Sequence, residues 1–184
     1  MIPRKALTVM KKKMISITII SLIGLLMSGV IYHFTENRAF FSAAITFGTI
    51  FYHLGMRLAV GGLIDAKYHN QMNYTGWWFR ERAFERGFYE KIRVQKWKGR
   101  MPTFTPQNFQ LRRDVIPEIV QATCQAEVVH EVNMVLSFIP VIFSIWFGSL
   151  EVFLITSCVA FIFDGLFVMI QRYNRPRLIR LIRR

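Results

Sequence analysis

Glu127, His130 and Glu131 fall within about one helical turn, at the start of an apolar run that extends to Gly148. Ionisable groups at the edge of a bilayer are costly to place there and usually face a protein interior or a polar cavity. A carboxylate three residues before a histidine, or next to it, can hydrogen-bond the ring, fix its tautomer and raise its basicity, as a general base requires. A second set of ionisable residues stands in other apolar runs. His53 and Arg57 are four apart and share a helical face. At ~1.5 Å per residue, Arg57 lies roughly 10 Å in from Ile64 and Asp164 roughly 12 Å in from Arg172, which predicts an Arg57–Asp164 pair. His53 sits a turn deeper and is expected to line a polar cavity.

Other chemistries find less support. A di-iron bundle needs two Glu-x-x-His motifs, and only Glu127–His130 supplies one. The zinc peptidase patterns are absent, although a set made of His53, His69, His130 and an acid stays open. No Gly-rich phosphate loop and no Gly-x-Ser-x-Gly elbow occurs. Cys124 and Cys158 are too far apart in sequence for a redox or metal pair and read as free thiols.

These residues must be positioned by helices that cross a membrane. The chain has 184 residues, is 53% hydrophobic and carries a formal net charge of +13, a combination that suits apolar spans flanked by basic loops. Apolar segments over about 14–34, 39–64, 128–148 and 152–170 each approach the ~20 residues that a spanning helix needs. The first reads as an uncleaved span rather than a signal peptide. The basic residues orient the chain by the positive-inside rule. They place both termini, a loop over about 65–127 and a tail over 171–184 on the cytoplasmic side. The expected fold is all-α, one polytopic membrane domain over 1–184.

The loop is rich in aromatics, unlike a disordered linker. Trp77, Phe84 and Phe88 fall along one side of a helix, with Arg82, Glu85, Arg86 and Tyr89 elsewhere, the pattern of an amphipathic helix at the headgroup plane. Pro102 and Pro106 end that pattern. A new helix is expected to start near Asp114 with Pro117 in its first turn and to run into the third span, where Pro140 introduces a kink. Nucleic acid is not an expected partner, since the basic groups sit where topology puts them and no binding motif is present.

Several strings, taken in order, resemble a known family. They are His53-Leu54-Gly55-Met56-Arg57, Trp78-Phe79-Arg80 through Glu85-Arg86-Gly87-Phe88-Tyr89, and Lys96-Trp97-Lys98 with Pro102. Ala126-Glu127-Val128-Val129-His130-Glu131 and Gln171-Arg172-Tyr173-Asn174-Arg175-Pro176-Arg177-Leu178 complete the set. Their order and spacing are similar to the bacterial glycosyl-4,4'-diaponeurosporenoate acyltransferases of carotenoid biosynthesis.

The resemblance implies transfer of a fatty acyl group to a sugar hydroxyl of a glycosylated carotenoid or a related glycolipid. It implies no bound cofactor, an acyl donor such as acyl-coenzyme A or acyl carrier protein as co-substrate, and membrane lipid around the chain. With no plausible covalent serine, direct transfer assisted by a base is expected. His130 is the expected base, oriented by Glu127 or Glu131, with His53 or Arg57 stabilising the oxyanion. Glu85, Tyr89, Lys96, Trp97, Lys98, Asp164, Gln171, Arg172, Asn174, Arg175 and Arg177 are the expected substrate contacts, the cationic ones toward donor phosphate. Two other readings stay open: a metal-dependent membrane hydrolase or oxidase, and a non-enzymatic lipid-binding scaffold.

Overall fold

In hydrocarbon a chain must satisfy its own N–H and C=O groups, so long apolar runs wind into helices. The computed structural model describes residues 4–101 and 115–182 and holds seven α-helices and no strand among them. Pro102, Pro106, Asp114, Arg183 and Arg184 lie outside the described residues. Helix α1 (Arg4–Thr35) and α2 (Arg38–Tyr68) form a hairpin, and α3 (Ala83–Lys91) and α4 (Val94–Trp97) are short. Helix α5 (Ile116–Leu136) is followed by α6 (Ile139–Phe147) and by α7 (Leu150–Ile182). Four stretches are long and apolar enough to cross a membrane: Lys11–Thr35, Arg38–Tyr68, Ile116–Phe147 and Leu150–Ile182.

Local chemistry explains the boundaries. Asn37 caps α2 by accepting a hydrogen bond from the Ala39 N–H. The ring of Phe47 lies 2.8 Å from where a Cβ on Gly24 would sit, so glycine lets α1 and α2 approach closely. Pro117 opens α5 as expected, in the first turn where its missing N–H costs nothing. Pro140 cannot donate back into α5, and the helix breaks at Ser137–Phe138 before resuming as α6.

Helix α5 packs against α7 and α2, and α1 against α2. In the apolar zone the large side chains face outward, for example Phe34, Ile145 and Ile162, while serine, threonine and asparagine are buried between helices. That inversion is expected where lipid replaces water. The two buried apolar clusters both lie at the basic end: Tyr89, Val94 and Tyr173 in one, Ile116, Val120 and Leu178 in the other.

Three expectations about this end need correction. First, residues 171–182 are not a tail but a continuation of α7, because Tyr173 and Leu178 bury their side chains against α3, α4 and α5. Second, the stretch 65–127 is only partly loop, since α2 persists to Tyr68 and α5 begins at Ile116. Third, the aromatic segment is not one helix. A 3-10 turn at Trp77–Phe79 ends in extended backbone at Arg80, and α3 follows. The break leaves the carbonyls of Trp78 and Phe79 free to accept from Arg172 at 2.9 Å and Arg175 at 3.3 Å. On α3, Glu85 and Tyr89 turn inward while Phe84 and Phe88 stay exposed, as does Trp77 in the preceding turn.

Candidate active site

Residue counting places Arg57 on α2 and Asp164 on α7 at one height, and the structure joins them and adds His130 of α5. Asp164 is fully buried. One of its oxygens accepts from Arg57 Nη2 at 2.5 Å, and the other lies 2.8 Å from His130 Nδ1. The Arg57–Asp164 pair read from depth alone is therefore present. The carboxylate beside His130 is a correction: it is Asp164, not Glu127 or Glu131. A carboxylate at Nδ1 keeps the proton on that nitrogen and leaves the Nε2 lone pair available. The His130 side chain retains 19% exposure and stacks on Phe167, with ring centroids 4.6 Å apart and planes within 7°. It is thus an oriented, partly exposed imidazole.

Arg57 is committed within this group. Its Nη1 donates to the His53 carbonyl at 2.8 Å and its Nη2 to Asp164, so the oxyanion role expected of it does not fit the geometry. Nor is Asp164, enclosed behind His130, a substrate contact. His53 is buried a turn deeper, and neither ring nitrogen has a hydrogen-bond partner among the described residues.

Glu127 has a different task from the one expected. It is fully buried, donor-bonded by Arg175 Nη2, and has Arg172 Nη1 at 3.5 Å. Arg175, only 1% exposed, also donates to the Thr123 hydroxyl and carbonyl and lies over the Phe79 ring. A guanidinium so enclosed cannot greet a donor phosphate. Glu127 and Arg175 instead tie α5 to α7 where both leave the apolar zone. Glu131 accepts from Trp78 Nε1 at 3.0 Å, and Glu85 pairs with Arg172 at 3.3 Å.

Glu131, Trp78, Glu85, Tyr89 and Arg172 wall a groove of about 270 Å³ whose apolar side is Phe84, Phe88 and Met169. Beyond it, Tyr173 carries Arg177 at 3.5 Å and Lys98 at 4.8 Å from its ring centroid, and Lys98 donates to Asn174 at 2.8 Å. Burial and the neighbouring Arg177 push the Lys98 ammonium below its ordinary value, and burial, reinforced by Glu85, pushes the Tyr89 phenol up to about 12. Trp97 donates to the Ile92 carbonyl at 3.0 Å and packs into the Tyr89 cluster, so its role is structural. Lys96 is exposed, and Gln171 is half-buried.

Sequence reasoning missed Phe167, Thr123 and Trp78 as parts of the site. Phe167 is one turn from Asp164 and Thr123 one turn from Glu127, so helical neighbours of the named acids were the available signal. The metal set containing His69 fails on geometry. His53 lies within α2 and His69 caps its C-terminus, roughly 24 Å away at ~1.5 Å per residue. Among the described residues no three His, Cys, Asp or Glu side chains converge as metal ligands.

The described residues form an all-α protein with four helices long and apolar enough to span a membrane and an Arg–Asp–His group joined between three of them. A model of the glycosyl-4,4'-diaponeurosporenoate acyltransferase family matches residues 75–184, and the chain belongs to that family. It is accordingly an acyltransferase of carotenoid biosynthesis. No curated protein and no solved structure matches the chain significantly.

Proposed function

We propose that the protein spans the bacterial cytoplasmic membrane with its basic end toward the cytoplasm. There it esterifies a sugar hydroxyl of a glycosylated carotenoid, or a related glycolipid, with His130 as general base. The observation that carries this reading is the His130 Nδ1–Asp164 contact, which orients a partly exposed ring with Nε2 directed away from that carboxylate. Nε2 takes the proton of the acceptor hydroxyl as its oxygen attacks the donor's acyl carbon. The bond to the donor's thiolate then breaks, and His130 returns the proton to the departing sulfur. Asp164 stabilises the imidazolium in between, while Arg57 holds the Asp164 carboxylate in place.

The groove suits the sugar. Glu131, Glu85 and Arg172 offer acceptors and donors for hydroxyls, and the aromatic wall faces the lipid that carries the acceptor's tail. Lys98 and Arg177 on Tyr173 suit the phosphates of a thioester donor, in place of the enclosed Arg175. No resident cofactor is needed, and the partners are membrane lipid, acceptor and acyl donor.

The test is lipid mass spectrometry of membranes carrying the wild type or His130→Ala at equal abundance. The wild type should add one fatty acyl increment to a glycolipid, and the variant should lose about 10²–10⁴ in rate. Near-normal acylation by His130→Ala would remove the base assignment.

A further inference from the structure

Between α2, α5 and α7 the polar character continues well past Asp164 into the apolar zone. Three contacts fix the relative heights of these helices: Arg57 to Asp164, His130 to Asp164, and Tyr52 Oη donating to the Leu136 carbonyl at 2.7 Å. Counting one turn away from the basic end puts His53 level with Asn133. A second turn puts Thr49 level with Ser137 and Ser157. His53 is 9% exposed, Asn133 2%, and Ser157 and Ser137 not at all.

The Thr49 and Ser137 hydroxyls donate to carbonyls of their own helices, at Ile45 and Asn133. The others make no such bond. Both ring nitrogens of His53, Asn133 Oδ1 and Ser157 Oγ find no hydrogen-bond partner among the described residues. Close helix approach would be served by alanine or glycine, as Ala160 does on α7. Four buried polar atoms without partners, spread over two adjacent turns of three helices that pack together, are costly unless something binds them. A cation would want convergent acidic, histidine or cysteine ligands, and the described residues offer none.

We infer that His53, Asn133 and Ser157 form an internal water site, a hydrated chamber reaching about two turns outward from the Arg57–Asp164–His130 group. Buried water takes about three hydrogen bonds, and these three side chains, with the spare lone pairs of Thr49 and Ser137, supply them. The chamber acts as a positioning element for acyl transfer. During transfer His130 carries the acceptor's proton, and nearby waters stabilise that charge in low-dielectric surroundings. This role rests on the acyl-transfer reading, whereas the water site itself does not.

The experiment compares the full-length chain with Ser157→Ala and Asn133→Leu, and with Ser157→Thr, which restores the hydroxyl. Thermal midpoints in detergent and acyl transfer kinetics are read together. The chamber predicts lower midpoints for Ser157→Ala and Asn133→Leu, because each strips a partner from bound water. It also predicts a kcat loss of about 10-fold at unchanged acceptor KM, with Ser157→Thr recovering both. A midpoint that holds or rises overturns the water site, since removing an unpaired polar atom from a dry pocket is neutral or stabilising. A lowered midpoint with wild-type kcat overturns the positioning role. If the wild type transfers no acyl group, the activity reading fails and the midpoints still judge the water site.

Discussion

Asp164→Leu removes one carboxylate from a point where two helices depend on it. Arg57 is left with a buried, uncompensated charge, and breaking such a pair costs about 3–5 kcal/mol. The Arg57 side chain retains 14% exposure, so the lower end, about 3 kcal/mol, is the expected destabilisation. Separately, His130 loses the acceptor that holds its Nδ1 proton, and turnover should fall by about 10³-fold, within the usual reach of acid–base catalysis. The double variant Arg57→Leu/Asp164→Leu separates the two effects. Apolar replacement of both partners should return most of the stability, as it often does for buried ion pairs, while turnover stays at the level of Asp164→Leu. Thermal midpoints in detergent report the first quantity, and acyl transfer normalised to folded protein reports the second. Wild-type acylation in the double variant would show that Asp164 merely neutralises Arg57, and the reasoning that makes His130 an oriented base would collapse.

Two further outcomes follow from the basic end. Glu127→Ala strands Arg175 at 1% exposure and should destabilise by about 3 kcal/mol, whereas Glu127→Leu/Arg175→Met should regain much of it, as measured by thermal denaturation. Tyr89 has a folded value of about 12 above an unfolded value near ~10. The stability linked to its neutral phenol is therefore full below pH ~10 and is lost as pH rises toward about 12. Tyr89→Phe should flatten that alkaline decline in a thermal midpoint series; an unchanged slope would count against the buried, protonated phenol.

Much of this arrangement was legible because apolar runs and helical rise fix height. Arg57 and Asp164 could be paired from residue counting alone, and Pro117 and Pro140 announced a helix start and a break. What counting cannot give is azimuth across helices. Glu127, three residues from His130, was the nearest acid in sequence, yet α7 brings Asp164 to the ring and presents Arg175 to Glu127. Charge was misleading for a related reason. Arg172, Arg175 and Arg177 look alike in a basic tail, but helical continuation buries Arg175 and half-buries Arg172 while leaving Arg177 exposed.

Helix α7, 33 residues long, runs roughly 50 Å at ~1.5 Å per residue, well beyond a ~30 Å hydrocarbon core. One continuous helix, with Pro176 inside it, therefore carries both Asp164 and Arg177, about 20 Å apart along its axis. On the proposed chemistry that spacing is a ruler. A donor must bridge from the cations to His130 with its reactive carbonyl at one end and its phosphates at the other, so arm length becomes a selection rule. Because a helix cannot shorten, adapting to a compact donor would require moving Lys98 and its short helix rather than reshaping the centre where the acyl group changes hands.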